Sequence, residues 1–73
     1  MQNKIHGMTN VSKALCVIDG ATNKVGVAKS ALCAELCGNR ELANMLRLLS
    51  DNWSRWGHLD GRAQLDVIHE LIG

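Results

Sequence analysis

Between positions 42 and 56 the large apolar residues fall at Leu42, Leu46, Leu49, Trp53 and Trp56, in steps of four, three, four and three. That rhythm matches one face of an α-helix and does not match the two-residue period of a strand. Met45 and Leu48 widen the stripe, while Arg40, Asn44, Arg47, Asp51, Ser54 and Arg55 take the other side. The spacing predicts one amphipathic helix over residues 40–56 with a heptad-like seam. So much Leu and Trp on one side has to lie against another apolar surface, so the chain is steered toward helix-on-helix packing.

The flanking residues support this reading. Gly38-Asn39 suits the end of one helix and the start of the next, because Gly tolerates the left-handed position and Asn caps free N–H groups. Gly57 is a natural stop, and Asp60 is placed to cap a last helix over residues 61–72. Leu65, Ile68, Leu71 and Ile72 would turn inward there with Val67 beside them, leaving Arg62, Asp66, His69 and Glu70 in solvent. Four linking residues are enough for an antiparallel helix hairpin of 40–56 and 61–72. Upstream, Thr9 or Asn10 caps a short helix of Val11, Ala14, Leu15, Val17 and Ile18 that Asp19-Gly20 brings to a stop. A strand over 14–18, paired through Asp19-Gly20 with 24–28, is the competing reading of this apolar run. Residues 27–37 are rich in Ala, Leu and Glu and predict a helix whose buried side is Ala28, Ala31, Leu32, Cys33 and Leu36. Residues 1–8 are polar and irregular and are expected to fray. The expectation is thus an all-α fold of about four short helices, one domain over residues 9–73.

Size and charge then limit the function. Seventy-three residues make one domain, and a chain of this size buries only about 60% of the surface it exposes when unfolded. Apolar residues make up 47% and the net charge is +1, which excludes the disordered class. There is no apolar run long enough to span a membrane and no secretory signal pattern, so the expected location is the cytoplasm. All four Lys precede Gly38 and all four Arg follow it, yet neither half is basic enough for a dedicated non-specific nucleic-acid binder.

The stretch VGVAKSALCAEL, residues 25–36, carries a resemblance. Gly26, Val27, Leu32 and Leu36 stand where the helix-turn-helix family keeps its turn glycine and the apolar residues that seat the second helix. The stretch resembles the turn and second helix of that family, as in many small phage and bacterial regulators. What the resemblance implies is a DNA-reading helix over 28–37, with Lys29 and Ser30 facing DNA and Cys33 beside them.

Three cysteines, Cys16, Cys33 and Cys37, do not form an even disulfide set and suit a reducing compartment. Together with one of His6, His58 or His69 they would have the ligand types for zinc. A one-turn pair without a second pair is not the usual ligand spacing, so no metal and no cofactor is expected. The three histidines are scattered. Asp66 and Glu70 lie one turn apart on an exposed helix rather than across a cleft, and Gly26 with Lys29-Ser30 lacks the frame of a phosphate loop. No enzymatic activity is expected.

What remains is binding. A chain this small has difficulty hiding both Trp residues together with Met45, Leu48, Val67 and Ile72 from water. The expected protein interface is therefore Met45, Leu48, Leu49, Trp53, Trp56 and Ile72, presented to a second copy or to a target protein. The expected role is that of a small regulator of the inhibitor or antirepressor style, of phage or mobile-element type. DNA reading through Lys29, Ser30 and Cys33 is the alternative.

Overall fold

The structure is a computed structural model, and it describes residues 9–73. The fraying expected of residues 1–8, and His6 within them, lie outside the described residues. Five helices follow one another: α1 (Asn10–Gly20), α2 (Lys24–Leu36), α3 (Arg40–Asp51), α4 (Trp53–Trp56) and α5 (Gly61–Ile72). There is no strand among the described residues, so the fold is all-α, and the hairpin alternative for 14–28 is overturned. Every residue of 14–18 and 24–28 is helical.

Side-chain caps set most of the helix starts. Thr9 accepts from the Ser12 N–H at 3.1 Å and opens α1. Asn23 accepts from the Gly26 N–H at 2.8 Å, so α2 starts three residues before the expected Val27. Asn39 accepts from the Leu42 N–H at 3.1 Å and opens α3 as expected. Its amide also donates to Asn10 Oδ1 at 2.8 Å, and the Asn10 amide donates to Glu41 Oε1 at 2.6 Å. The starts of α1 and α3 are thereby tied together. Gly38, at φ +89°, makes the left-handed turn between α2 and α3, with its N–H bonded to the Glu35 carbonyl and that of Asn39 to the Ala34 carbonyl. Only Gly takes that backbone without strain.

Helix α3 is the centre of the molecule. α2 packs most extensively on it, with α1 and α5 also against it. The core is Ala14 and Ile18 of α1, Val27, Ala31 and Ala34 of α2, Ala43, Leu46 and Leu49 of α3, Trp56 of α4 and Ile68 of α5. The polar residues expected on the outside of 40–56 are all exposed, as are Arg62, Asp66, His69 and Glu70.

Three expectations are corrected. Residues 40–56 do not form one helix: the chain breaks at Asn52, which has φ −104° and ψ 20°. Its N–H bonds back to the Leu48 and Leu49 carbonyls, and its side-chain amide donates to Leu48 O at 2.8 Å. Helix α2 buries the other side from the one expected. Ala28, Leu32, Cys33 and Leu36 are exposed, and Ala31 alone of the expected set is buried, alongside Val27 and Ala34. The small residues explain the choice. Ala31 and Ala34 let α2 lie close to Ala43 and its neighbours on α3, where Leu32 and Leu36 would hold the helices apart. Leu65, expected inward, is 40% exposed, and Ile68 alone of α5 is fully buried.

The corner after α4 is tight. A Cβ added at Gly57 would lie 2.6 Å from Nε1 and 2.7 Å from Cδ2 of Trp53, well inside van der Waals contact. Gly57→Ala is therefore expected to displace the Trp53 ring and destabilise the fold by about 1–3 kcal/mol, the usual effect of overpacking. Chemical denaturation checks this, and an unchanged midpoint would mean that the ring moves aside freely.

Candidate functional site

The expected interface divides between core and surface. Leu49 and Trp56 are fully buried and cannot meet a partner in the folded chain. Trp53 and Ile72 are half-buried and pack on the core, and Met45 is half-buried beside Asn10, Lys13 and Glu41. Leu48 is the one member of the set with substantial exposure, at 40%. The reason is the break at Asn52. An unbroken helix would carry Trp53 and Trp56 along the seam of Leu46 and Leu49. The break instead lets the chain fold back, so that the Trp56 indole N–H donates to the Leu49 carbonyl at 2.7 Å. That carbonyl stands at the end of α3, where it also accepts from the Asn52 N–H at 3.2 Å. The two indoles meet edge to face, with centroids 4.7 Å apart and planes 63° apart.

The exposed apolar surface lies elsewhere. On α2, Val25 is 60% exposed, Leu32 58% and Leu36 87%. At about 100° per residue these three fall within roughly 40° of arc, on the far side of the helix from Val27, Ala31 and Ala34. They form a single outward stripe along a helix of thirteen residues, about 20 Å long. One flank of the stripe carries Lys24, Ala28 and Glu35, with Glu35 paired to Arg47 of α3. The other flank carries Lys29 and Cys33. The residue pattern of α2 places Leu32 and Leu36 on the core side and gives Val25 no role. The available signal was that α2 is apolar on both sides, a pattern typical of a helix covered on both sides.

Of the residues that carry the helix-turn-helix resemblance, Val27 is buried as it implies, while Gly26, Leu32 and Leu36 take other places. Gly26 sits inside the first turn of α2, with its N–H on Asn23, rather than in a turn between helices. Leu32 and Leu36 point out instead of seating the helix. Of the three residues assigned to DNA, Lys29 and Cys33 are exposed and Ser30 is half-buried. Ser30 lines a groove of about 380 Å³ between α1, α2 and α3, shared with Val17, Leu42, Leu46, Cys33 and Cys37.

Cys16, Cys33 and Cys37 are free and exposed. Among the described residues no three or more His, Cys, Asp or Glu side chains are grouped to hold a metal ion. His58 and His69 are exposed; the His69 ring lies 3.4 Å from the Gly73 carbonyl. Asp66 pairs with Arg62, and Glu70 with Arg55. No helix among the described residues is long and apolar enough to cross a membrane. Compared with known proteins, the chain matches no family model, no curated protein and no solved structure.

Proposed function

We propose that this protein is a small non-enzymatic regulator that acts by binding another protein chain, in the manner of an inhibitor that occupies its partner's surface, and that the outward side of α2 is the binding face. The observation that carries this reading is the alignment of Val25, Leu32 and Leu36 at the outermost line of a helix whose opposite side already fills the core. Scattered exposed leucines are ordinary, but three large apolar residues aligned on one line of a helix and rimmed by charge mark a contact site. The same stripe argues against DNA. A reading helix presents cations and amides to phosphates and bases, whereas here the pole of the helix is Val and two Leu. Three exposed free thiols fit a reducing compartment such as the cytoplasm.

The test uses immobilised protein and a Leu32→Glu/Leu36→Glu variant. Both positions are exposed, so the variant is expected to keep the melting behaviour of the wild type. The wild type is expected to capture a protein chain, its own or a foreign one. The variant is expected to bind it about thirty-fold more weakly, the loss of about 2 kcal/mol typical of an interface centre. Capture that is equal for both proteins would overturn the reading. So would binding confined to duplex DNA that falls steeply with salt and weakens on Lys29→Ala.

A further inference from the structure

We infer that the partner of this face is a second copy of the same chain, packed antiparallel through α2 about a two-fold axis; the inference rests on the reading of α2 as a binding face. A two-fold interface has to be complementary to itself, because each patch meets its own image. The α2 face satisfies this condition in both its apolar and its charged residues.

Consider the axis perpendicular to both helices at a height midway between Ser30 and Ala31. Each residue then lies level with the residue equally far on the other side of that midpoint. Val25 meets the second copy's Leu36, and this contact occurs twice. The two Leu32 side chains sit beside the axis, offset by about 4–5 Å along the helices, so that they interleave rather than collide. The three exposed apolar residues of each copy are all used.

The charges follow the same symmetry. This operation places each flank of α2 next to the same flank of the other copy. Lys24 and Glu35 share one flank at opposite ends of the helix. Lys24 of one copy therefore comes within about 3 Å in height of the other's Glu35, again twice. Glu35 is already beside Arg47, but a carboxylate has acceptor sites for more than one cation. On the other flank the two Lys29 stems lie near the axis, and their length lets the ammonium groups spread into solvent. A parallel pair lacks this match. It would set Lys24 level with Lys24 and Glu35 level with Glu35, with Glu35 about 9 Å in height from the nearest cation across the contact, Lys29. The antiparallel arrangement also sets the positive end of each helix dipole beside the negative end of the other. A contact between two helices of this length is at the small end of interface sizes, roughly 1,200 Å² of buried surface or less, so the dimer is a weak and concentration-dependent one.

Sedimentation equilibrium on the full chain, under reducing conditions and over concentrations up to about 1 mM, tests the arrangement. The wild type is expected to shift from monomer to dimer mass. Leu32→Glu is expected to stay monomeric with an unchanged thermal melt. Lys24→Glu and Glu35→Lys are each expected to weaken the dimer about five- to thirty-fold, because two attractive pairs become repulsive. The Lys24→Glu/Glu35→Lys double variant is expected to return within about twofold of the wild type, since it restores both pairs with reversed sign. Lys24→Glu suits its end of the helix dipole, and Glu35→Lys suits its own end while giving up only the exposed pair with Arg47, so neither is expected to unfold the chain. A dimer indifferent to Leu32→Glu, or a double variant no better than the singles, would overturn the inference. A wild type that stays monomeric while its α2 face captures a foreign chain overturns this inference and leaves the proposed function standing. A monomer that captures nothing overturns both.

Discussion

Trp56→Ala is expected to lose about 3–5 kcal/mol of stability, the cost of removing a large aromatic from a core. The indole of Trp56 is among the largest fully buried side chains and is joined to the core made by Leu46, Leu49 and Ile68. It also performs a second task. Helix α3 ends at Asp51, and the Leu49 carbonyl near that end accepts the Trp56 N–H at 2.7 Å. Removing the ring thus opens a cavity and withdraws a hydrogen bond at a helix end. For a chain of 73 residues a total stability of about 4–11 kcal/mol is ordinary, so this one substitution removes a large share of it. Urea denaturation followed by far-UV circular dichroism measures the change. Trp56→Phe separates the two contributions, since it keeps most of the bulk and loses the N–H; it is expected to cost about 1–2 kcal/mol. Trp53→Ala is the control from the exposed side of the same ring pair and is expected to cost less than Trp56→Ala. A Trp56→Ala chain within about 1 kcal/mol of the wild type would show that the ring is not a core group.

The contrast between Trp56 and Leu36 explains which parts of this molecule could be read from its residues. The helix boundary at Gly38-Asn39 was legible because local chemistry decides it: Gly takes the positive φ and Asn supplies the cap. The exposed side of α3 was legible because its polar residues recur with the helical period. The direction of α2 was not legible. Its wheel has apolar residues on two opposite sides, Val27, Ala31 and Ala34 on one and Val25, Leu32 and Leu36 on the other. Side-chain size favours burying the leucines, yet close approach of α2 to α3 favours the alanines, and that term depends on the partner helix. The break at Asn52 is local but carries no strong breaker residue. No Gly or Pro marks it; the bonds that hold it run from Asn52 to Leu48 and Leu49, and from Trp56 to Leu49. Without that break, Trp56 reads as a surface anchor. With it, the exposed apolar surface falls to α2, and the proposed site moves from the helix with the strongest pattern to one with almost none.

Leu49→Ala is expected to cost about 2–5 kcal/mol, and where it falls in that range reports on how the core is built. Leu49 is completely buried on α3, in one cluster with residues from α1, α2, α4 and α5. The spread of such effects depends on how far the surroundings collapse into the space left behind. Here the surroundings are constrained. Trp56 is held to the Leu49 carbonyl by its N–H, and Gly57 is held under the Trp53 ring, so the indole pair cannot readily slide inward. The effect is therefore expected in the upper half of the range. Leu48→Ala, one position earlier and 40% exposed, is the matched control and is expected to cost less than about 1 kcal/mol. Thermal and urea unfolding of the two variants, measured at one protein concentration so that any self-association contributes equally, gives the comparison directly. Equal losses at positions 48 and 49 would overturn the orientation of α3 on which both the core and the outward side of α2 depend.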